Sequence, residues 1–328
     1  MIRGFSLILL SLLALAMAAP VAGAAQYVVK IGYENHPGEP LDAAVRHWKK
    51  LAEEKTGGKL EVQLFPSSQL GSKKDLIEQI RMGGNLVTFV DGSFLADFVP
   101  DMAILNGPYL ADEMMDIVKL PESDWWKGLE KQLEAKDLHI LAFNFLYGIR
   151  NMVVKKPVHA PADLNGLKIR VPNNKIQLEG ILAMGAIPTP MPLAEVYPAL
   201  TQGVIDGAEN PIPVLYGQKH HEAAKYLILT KHLDNITGFV ANPDFLKELP
   251  PEIVKAFEEA AYEAGEFSQK LALDADREYT EKIKAEGGVI IEVDITPFQE
   301  ATKVVYSKFP EWTPGLYEKV RGIMYGGK

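Results

Sequence analysis

A helical pattern of more than 30 residues runs from Pro251 to about Ala285, with Ile253, Phe257, Ala260, Ala261, Ala264, Phe267 and Leu271 at helical spacing forming one stripe within it. Globular helices run roughly 8–20 residues, because most of their stability comes from the core they pack on and a small lobe offers limited core. A pattern this long predicts a helix that crosses two lobes. The 328 residues supply about two domains at roughly 100–200 residues each. Gly265 lies within the stripe and reads as a weak point, since glycine costs about 1 kcal/mol there relative to alanine.

Ahead of this helix, strands and helices alternate twice. Val28 to Tyr33 reads as an opening strand, then Glu34-Asn35-His36-Pro37-Gly38 as a turn, then a helix with Leu41, Ala44, Val45, Trp48, Leu51 and Ala52 on one face. Leu60, Val62 and Leu64 alternate as a half-buried strand, Ser72-Lys73-Lys74-Asp75 resembles a capping box, and Leu86 to Val90 is a further apolar strand. The pattern restarts with strands at Leu138 to Phe143, Arg150 to Val154 and Leu167 to Val171, followed by helices over about Lys175 to Met184 and around Leu193 to Gln202. Pro198 inside the last of these predicts a kink or a later start. Short strands are expected at Val204 to Ala208, Leu227 to Leu229 and Thr237 to Ala241. The class is α/β with two lobes.

The first 24 residues read as an export signal, with Arg3 as the positive flank, Phe5 to Leu15 as the apolar stretch and Ala22-Gly23-Ala24 as the cleavage site. With no cysteine in the chain there is no disulfide, no thiol nucleophile and no attachment point for a lipid anchor, so a freely diffusing periplasmic protein is expected. The net charge of −9 disfavours a general grip on nucleic acid or an anionic membrane, so any anion must be caught locally. The common catalytic and nucleotide-binding motifs do not occur, and none of the seven histidines forms an i, i+4 metal face. No catalytic residue, metal or cofactor is expected.

Several segments carry a resemblance. They are Asp163-Leu164-Asn165-Gly166-Leu167-Lys168-Ile169-Arg170-Val171-Pro172-Asn173, Gly185-Ala186-Ile187-Pro188-Thr189-Pro190-Met191, Glu195-Val196-Tyr197 and Asp206-Gly207-Ala208-Glu209-Asn210-Pro211. With Phe65-Pro66-Ser67-Ser68-Gln69-Leu70-Gly71 and Gly107-Pro108-Tyr109-Leu110 upstream, the chain resembles the extracytoplasmic solute-binding subunit of TRAP transporters, the DctP-like family. The resemblance implies a two-lobed, periplasmic-binding-protein-like fold with the long helix crossing both lobes. Lobe 1 would comprise 25–147 and 236–275, lobe 2 would comprise 148–235 and 276–308, and 309–328 would be a C-terminal tail. It also implies a monomer that captures a small organic carboxylate, a sugar acid or an amino-acid-like or aromatic acid, for the small and large membrane subunits of a TRAP permease. A sensor subunit for the same ligands, or a periplasmic hydrolase or lyase, is the competing reading.

Arg170 matches the family's carboxylate-binding arginine; its planar guanidinium can donate two parallel hydrogen bonds to a carboxylate. Arg150 matches a second arginine, with an interlobe structural role as the alternative, and Asn210 a polar group on the returning crossover. The resemblance also places Glu34, Asp91, Asn173 and Leu193 at the cleft. Glu34 and Asp91 are expected opposite the arginines, where acids accept from ligand hydroxyls and repel a second carboxylate. Tyr147 and Trp125-Trp126 are candidates for stacking on a ring, with core packing as their alternative.

Overall fold

The computed structural model describes residues 25–326, so the export signal read over 1–24 lies outside the described residues. Among the described residues nine strands form one sheet: β1 (Tyr27–Gly32), β2 (Leu60–Phe65), β3 (Leu86–Asp91), β4 (His139–Val154), β5 (Lys168–Val171), β6 (Ile187–Pro190), β7 (Gly207–Pro211), β8 (Tyr226–Ala241) and β9 (Val289–Glu292). Their order is β2-β1-β3-β8-β4-β7-β5-β6, with β9 beside β8. The β1–β2, β1–β3, β5–β6 and β5–β7 pairs are parallel, as expected where helices make the crossovers.

The middle of the sheet differs from the sequence expectation. The strand read at Leu138–Phe143, which begins one residue later at His139, and that at Arg150–Val154 belong to one 16-residue strand, β4, and Leu227–Leu229 and Thr237–Ala241 to another, β8. The intervening polar residues stay extended because the two strands pair with each other, Leu146 opposite Ile236 and Ile149 opposite Asp234. Register shifts punctuate the ladder, one of them at Gly148, whose φ of 118° suits glycine. Both strands therefore run from one lobe into the other. Two smaller shifts have local causes. The helix read from Leu193 begins at Val196, which puts Pro198 in the first turn, where its missing N–H costs nothing. The strand read from Val204 starts at Gly207, where a β-carbon would lie 2.5 Å from the Val153 carbonyl oxygen.

Each lobe buries two apolar clusters. In lobe 1, Trp48 of the helix Pro40–Lys55 stacks on Phe257 at 4.6 Å and meets Phe239 edge-on at 5.0 Å, while its Nε1 donates to the Phe257 carbonyl. Trp126 packs on Phe143 in the other lobe 1 cluster, with Trp125 against it, so these tryptophans are core residues rather than cleft residues. The helix Lys73–Arg81 begins at the capping box read from the sequence: Ser72 Oγ accepts from the Asp75 N–H, and the Ser72 N–H donates to the Asp75 carboxylate. Lobe 2 places Val153, Val196, Leu215 and Ile283 in one cluster and Met152, Ile169, Ile181 and Phe298 in the other. Phe309, Trp312, Leu316, Val320 and Met324 enter the lobe 1 core, so the described part of the stretch read as a tail packs as structure.

The long helix spans Pro251–Ala285. Its first half buries Ile253, Phe257, Ala260 and Ala264 in lobe 1, and Ile283 near its end belongs to lobe 2. Gly265 has a different role from the weak point read in the sequence. A β-carbon there would lie 1.9 Å from Asn144 Oδ1, and the Asn144 amide donates to the Tyr262 carbonyl while Ser268 Oγ accepts from Leu146 N–H. Glycine lets the helix touch the crossing strand. Relief of a helix weak point by Gly265→Ala would stabilise the protein by up to about 1 kcal/mol. The clash predicts the opposite sign, a loss of about 1–3 kcal/mol, readable as a lower urea midpoint.

Candidate functional site

A cavity of about 200 Å³ lies between the lobes. Lobe 1 contributes Glu34 after β1, the turn and first helical residues Ser72–Asp75, and Asp91 and Phe94 after β3; lobe 2 contributes Arg170, Asn173, Pro190–Leu193 and Asn210. Tyr147 and Arg150 enter from the crossing strand β4. Arg170, Arg150, Asn210, Glu34, Asp91, Asn173, Leu193 and Tyr147 all line this one cavity, whereas Trp125 and Trp126 do not. Asn173 is exposed, whereas Arg150, Arg170, Asn210 and Leu193 are buried.

Arg150 is already neutralised. Its Nε and Nη2 both reach the Glu209 carboxylate, Nη2 at 2.7 Å, and its Nη1 donates to Asn235 Oδ1 at 3.0 Å. His232 Nε2 lies 3.4 Å from the same carboxylate. Burial would raise the Glu209 pKa, but Arg150 and His232 outweigh it and hold the carboxyl at about 2. This buried pair joins β4, β7 and β8 through side chains.

Arg170 is placed differently. Nε and Nη2 both donate to one neutral acceptor, the Met191 carbonyl, at 3.0 and 2.8 Å. Among the described residues no carboxylate forms an ion pair with it, and burial, with Arg150 nearby, lowers its pKa to about 10 despite Glu209. An ion removed from water without a counter-ion costs several kcal/mol, so this guanidinium is poised for an incoming anion. The positions follow from local chain geometry: β5 ends at Val171, Pro172 stops the strand, and the Pro190–Met191–Pro192 turn brings its carbonyl back over Arg170.

Glu34 and Asp91 share the cavity with the arginines, near enough for Glu34 to act electrostatically on Arg170 and Asp91 on Arg150, and both also meet Lys73. Its Nζ is 3.1 Å from Asp91 Oδ2 and 3.7 Å from Glu34 Oε2, and it lies over the rings of Phe89 and Phe94 at 4.5 and 4.7 Å. Burial would raise the Asp91 pKa, but Lys73 and Ser93 together lower it below the ordinary range. Sequence reasoning missed Lys73 because a lysine in the first turn of a capped helix ordinarily points to water; the nearby acid-bearing strand ends were the available signal. Glu209 was likewise quoted only within a motif. Tyr147 accepts from Asn35 Nδ2 at 3.0 Å and packs on Phe89, so its phenol lines the cavity from a fixed position. Away from the cavity, His221, Glu222 and Glu286 bring potential metal-ligand atoms within 4.8 Å of one another. Those carboxylates already have partners in Lys219 and Tyr216.

A two-lobed sheet closed over a pocket with one unneutralised buried arginine defines a receptor for a small organic anion. The chain matches the family "Bacterial extracellular solute-binding protein, family 7" over residues 31–311 and belongs to it. It is 33% identical to the 2,3-diketo-L-gulonate-binding periplasmic protein of Escherichia coli K12, covering 83% of this chain and 84% of that one. Among solved structures it is similar to a TRAP periplasmic solute-binding protein from Ochrobacterium anthropi with bound L-fuconate, 48% identical, covering 92% of this chain and all of the other, with a TM-score of 0.90. A second, from Actinobacillus succinogenes 130Z with bound L-galactonate, is 40% identical and covers 91% and 99% of the two chains with a TM-score of 0.89. Proteins of this family bind solutes outside the cytoplasm for TRAP transport and are not enzymes.

Glu209→Gln would leave Arg150 buried without its counter-charge, for an expected loss of about 3–5 kcal/mol. The folded-state pKa of Glu209 is depressed from 4.5 to about 2, so its contribution is present above the ordinary carboxylate range and is lost as pH falls toward the lower value. Urea unfolding should show wild-type stability dropping between about pH 5 and about pH 3 more steeply than that of the variant.

Proposed function

We propose that this protein captures an aldonate, a sugar acid with one carboxylate and a chain of hydroxyls, and delivers it to a TRAP permease of small and large membrane subunits. The observation that carries this reading is Arg170, a buried cation whose only acceptor among the described residues is a neutral carbonyl. In this reading Arg170 grips the ligand carboxylate, with Arg150 beside it. Asn173, Asn210 and Tyr147 serve both donor and acceptor needs of hydroxyls. Glu34 and Asp91, steadied by Lys73, accept from hydroxyls and repel a second carboxylate, which separates aldonates from dicarboxylates such as succinate. Leu193 packs against the carbon chain. The relatives crystallised with L-fuconate and L-galactonate support the same ligand class.

Capture requires motion, since an anion entering from water must be enclosed for Arg170 to act at full strength. The moving bodies are taken as 25–147 with 236–275 against 148–235 with 276–308, the export signal at 1–24 delivers the chain to the periplasm, and it works there as a monomer. The competing enzyme reading has no support in the cavity beyond the presence of carboxylates, and no observation favours it.

Arg170→Lys keeps the charge and removes the planar pair of donors. Calorimetry with L-fuconate and L-galactonate should show affinity falling roughly 30-fold to several thousand-fold with the thermal midpoint of the free protein nearly unchanged. A change below threefold would remove Arg170 from the site. In a thermal-shift screen, aldonates should outrank succinate and malate; the reverse order would overturn the ligand class.

A further inference from the structure

Outside the ligand cavity, one carboxylate is buried exactly where the two lobes meet. Glu39 precedes the helix Pro40–Lys55 of lobe 1 and is only 2% exposed. Its carboxylate accepts from Asn35 Nδ2 at 2.5 Å and from the His36 N–H at 3.0 Å within its own loop. From lobe 2, Gln218 Nε2 donates to it at 3.0 Å, at the end of the helix Ile212–Gly217. The same loop gives His36 Nδ1 to the Gly217 carbonyl at 3.3 Å, and the Gly38 carbonyl accepts from Tyr279 of the long helix at 3.3 Å. Gly217 fits against Glu39 only because it lacks a β-carbon, which would lie 2.6 Å from Glu39 Cγ.

We propose that Glu39 and Gln218 form an interlobe latch whose engagement takes up a proton, so that the protein holds its ligand more tightly as the periplasm becomes mildly acidic. The inference rests on the reading of capture by lobe closure. Its basis is the solvation of one carboxyl. With the lobes apart, the Gln218 and Gly217 side of Glu39 faces water; with them together, that water is replaced by one amide and by packing. A carboxylate losing water without gaining a cation favours its neutral form.

The surrounding groups agree. Facing Glu39 are Asp42 from its own helix, Tyr147 from β4, Tyr279 from the long helix and His36 from the loop. Asp42 is committed to Arg46 at 2.8 Å, and among the described residues no cation forms an ion pair with Glu39. Burial accordingly raises its pKa from 4.5 to about 7, against the opposing hydrogen bonds from Asn35, His36 and Gln218. The closed state thus binds more protons than the open one. Closure is favoured as pH falls through that value and loses the contribution as pH rises through it. Asn35 also donates to Tyr147, which lines the ligand cavity, so the latch adjoins the site.

The test is calorimetry with L-fuconate and L-galactonate at about pH 6, 7 and 8, in two buffers of different ionisation enthalpy. Wild type should bind up to about tenfold more tightly at pH 6 than at pH 8 and take up a fraction of a proton. Glu39→Gln, an isostere with no charge to desolvate, should bind without this proton uptake and with a flattened pH profile. Gly217→Ala should weaken binding severalfold by obstructing the latch without touching the cavity, and adding Glu39→Ala should restore affinity. Proton uptake unchanged in Glu39→Gln, or Gly217→Ala binding like wild type, would overturn the latch while leaving aldonate capture standing. Failure of both aldonates to bind at every pH would remove the capture reading and the latch together.

Discussion

The antiparallel ladder between β4 and β8 is the constraint on which the rest of the molecule depends. It runs from His139 opposite Ala241 to Val154 opposite Tyr226 and carries the chain from one lobe to the other. The lobes are therefore parts of one hydrogen-bonded sheet, and their relative position is set by strand twist and by the register shifts at the centre of the ladder. Tyr147 and Arg150 sit at that centre, beside the shift at Gly148, and face the interlobe cavity for that reason. The long helix reinforces the same crossing by meeting β4 at Gly265 and Asn144, a contact close enough to exclude any side chain.

The buried charges around the cavity divide by what they hold. Arg150 is matched to Glu209 and Asn235, and Lys73 to Asp91 with Glu34 nearby; both cations are satisfied inside the protein and keep their elements in place. Among the described residues Arg170 has only the Met191 carbonyl. Removing a partner from a buried pair costs several kcal/mol, so the matched sites resist change, and a ligand carboxylate gains most where the protein supplies no counter-charge. In the proposed function, selectivity then follows from acids that accept from hydroxyls but repel a second anion.

Much of the organisation was legible in the chain because its signals are local. The 35-residue helix spans the helical pattern read from Pro251 to Ala285, and Ser72 with Asp75 forms the capping box its spacing implied. The eight cleft residues share a cavity, since each follows a strand end or lies in a recognisable motif. The continuous β4 and β8 were not legible, because Asn144 and Asn235 look like strand breakers until a partner strand satisfies the backbone around them. Gly265 was misread for a related reason: propensity registers its cost in a helix, whereas the close approach of Asn144 is a property of the packed structure.

By itself, then, the amino-acid sequence determined the periodicities, caps and turns, and through its motifs the arginine at the end of β5, because each depends on residues within a few positions of one another. Tertiary structure alone decided the partners of the charged groups. Lys73 meets Asp91 across 18 positions, Arg150 meets Glu209 across 59 and Gln218 meets Glu39 across 179. Those choices turn on a few ångströms between distant segments and on how much water is excluded there, quantities that exist only once the two lobes have packed along their shared sheet.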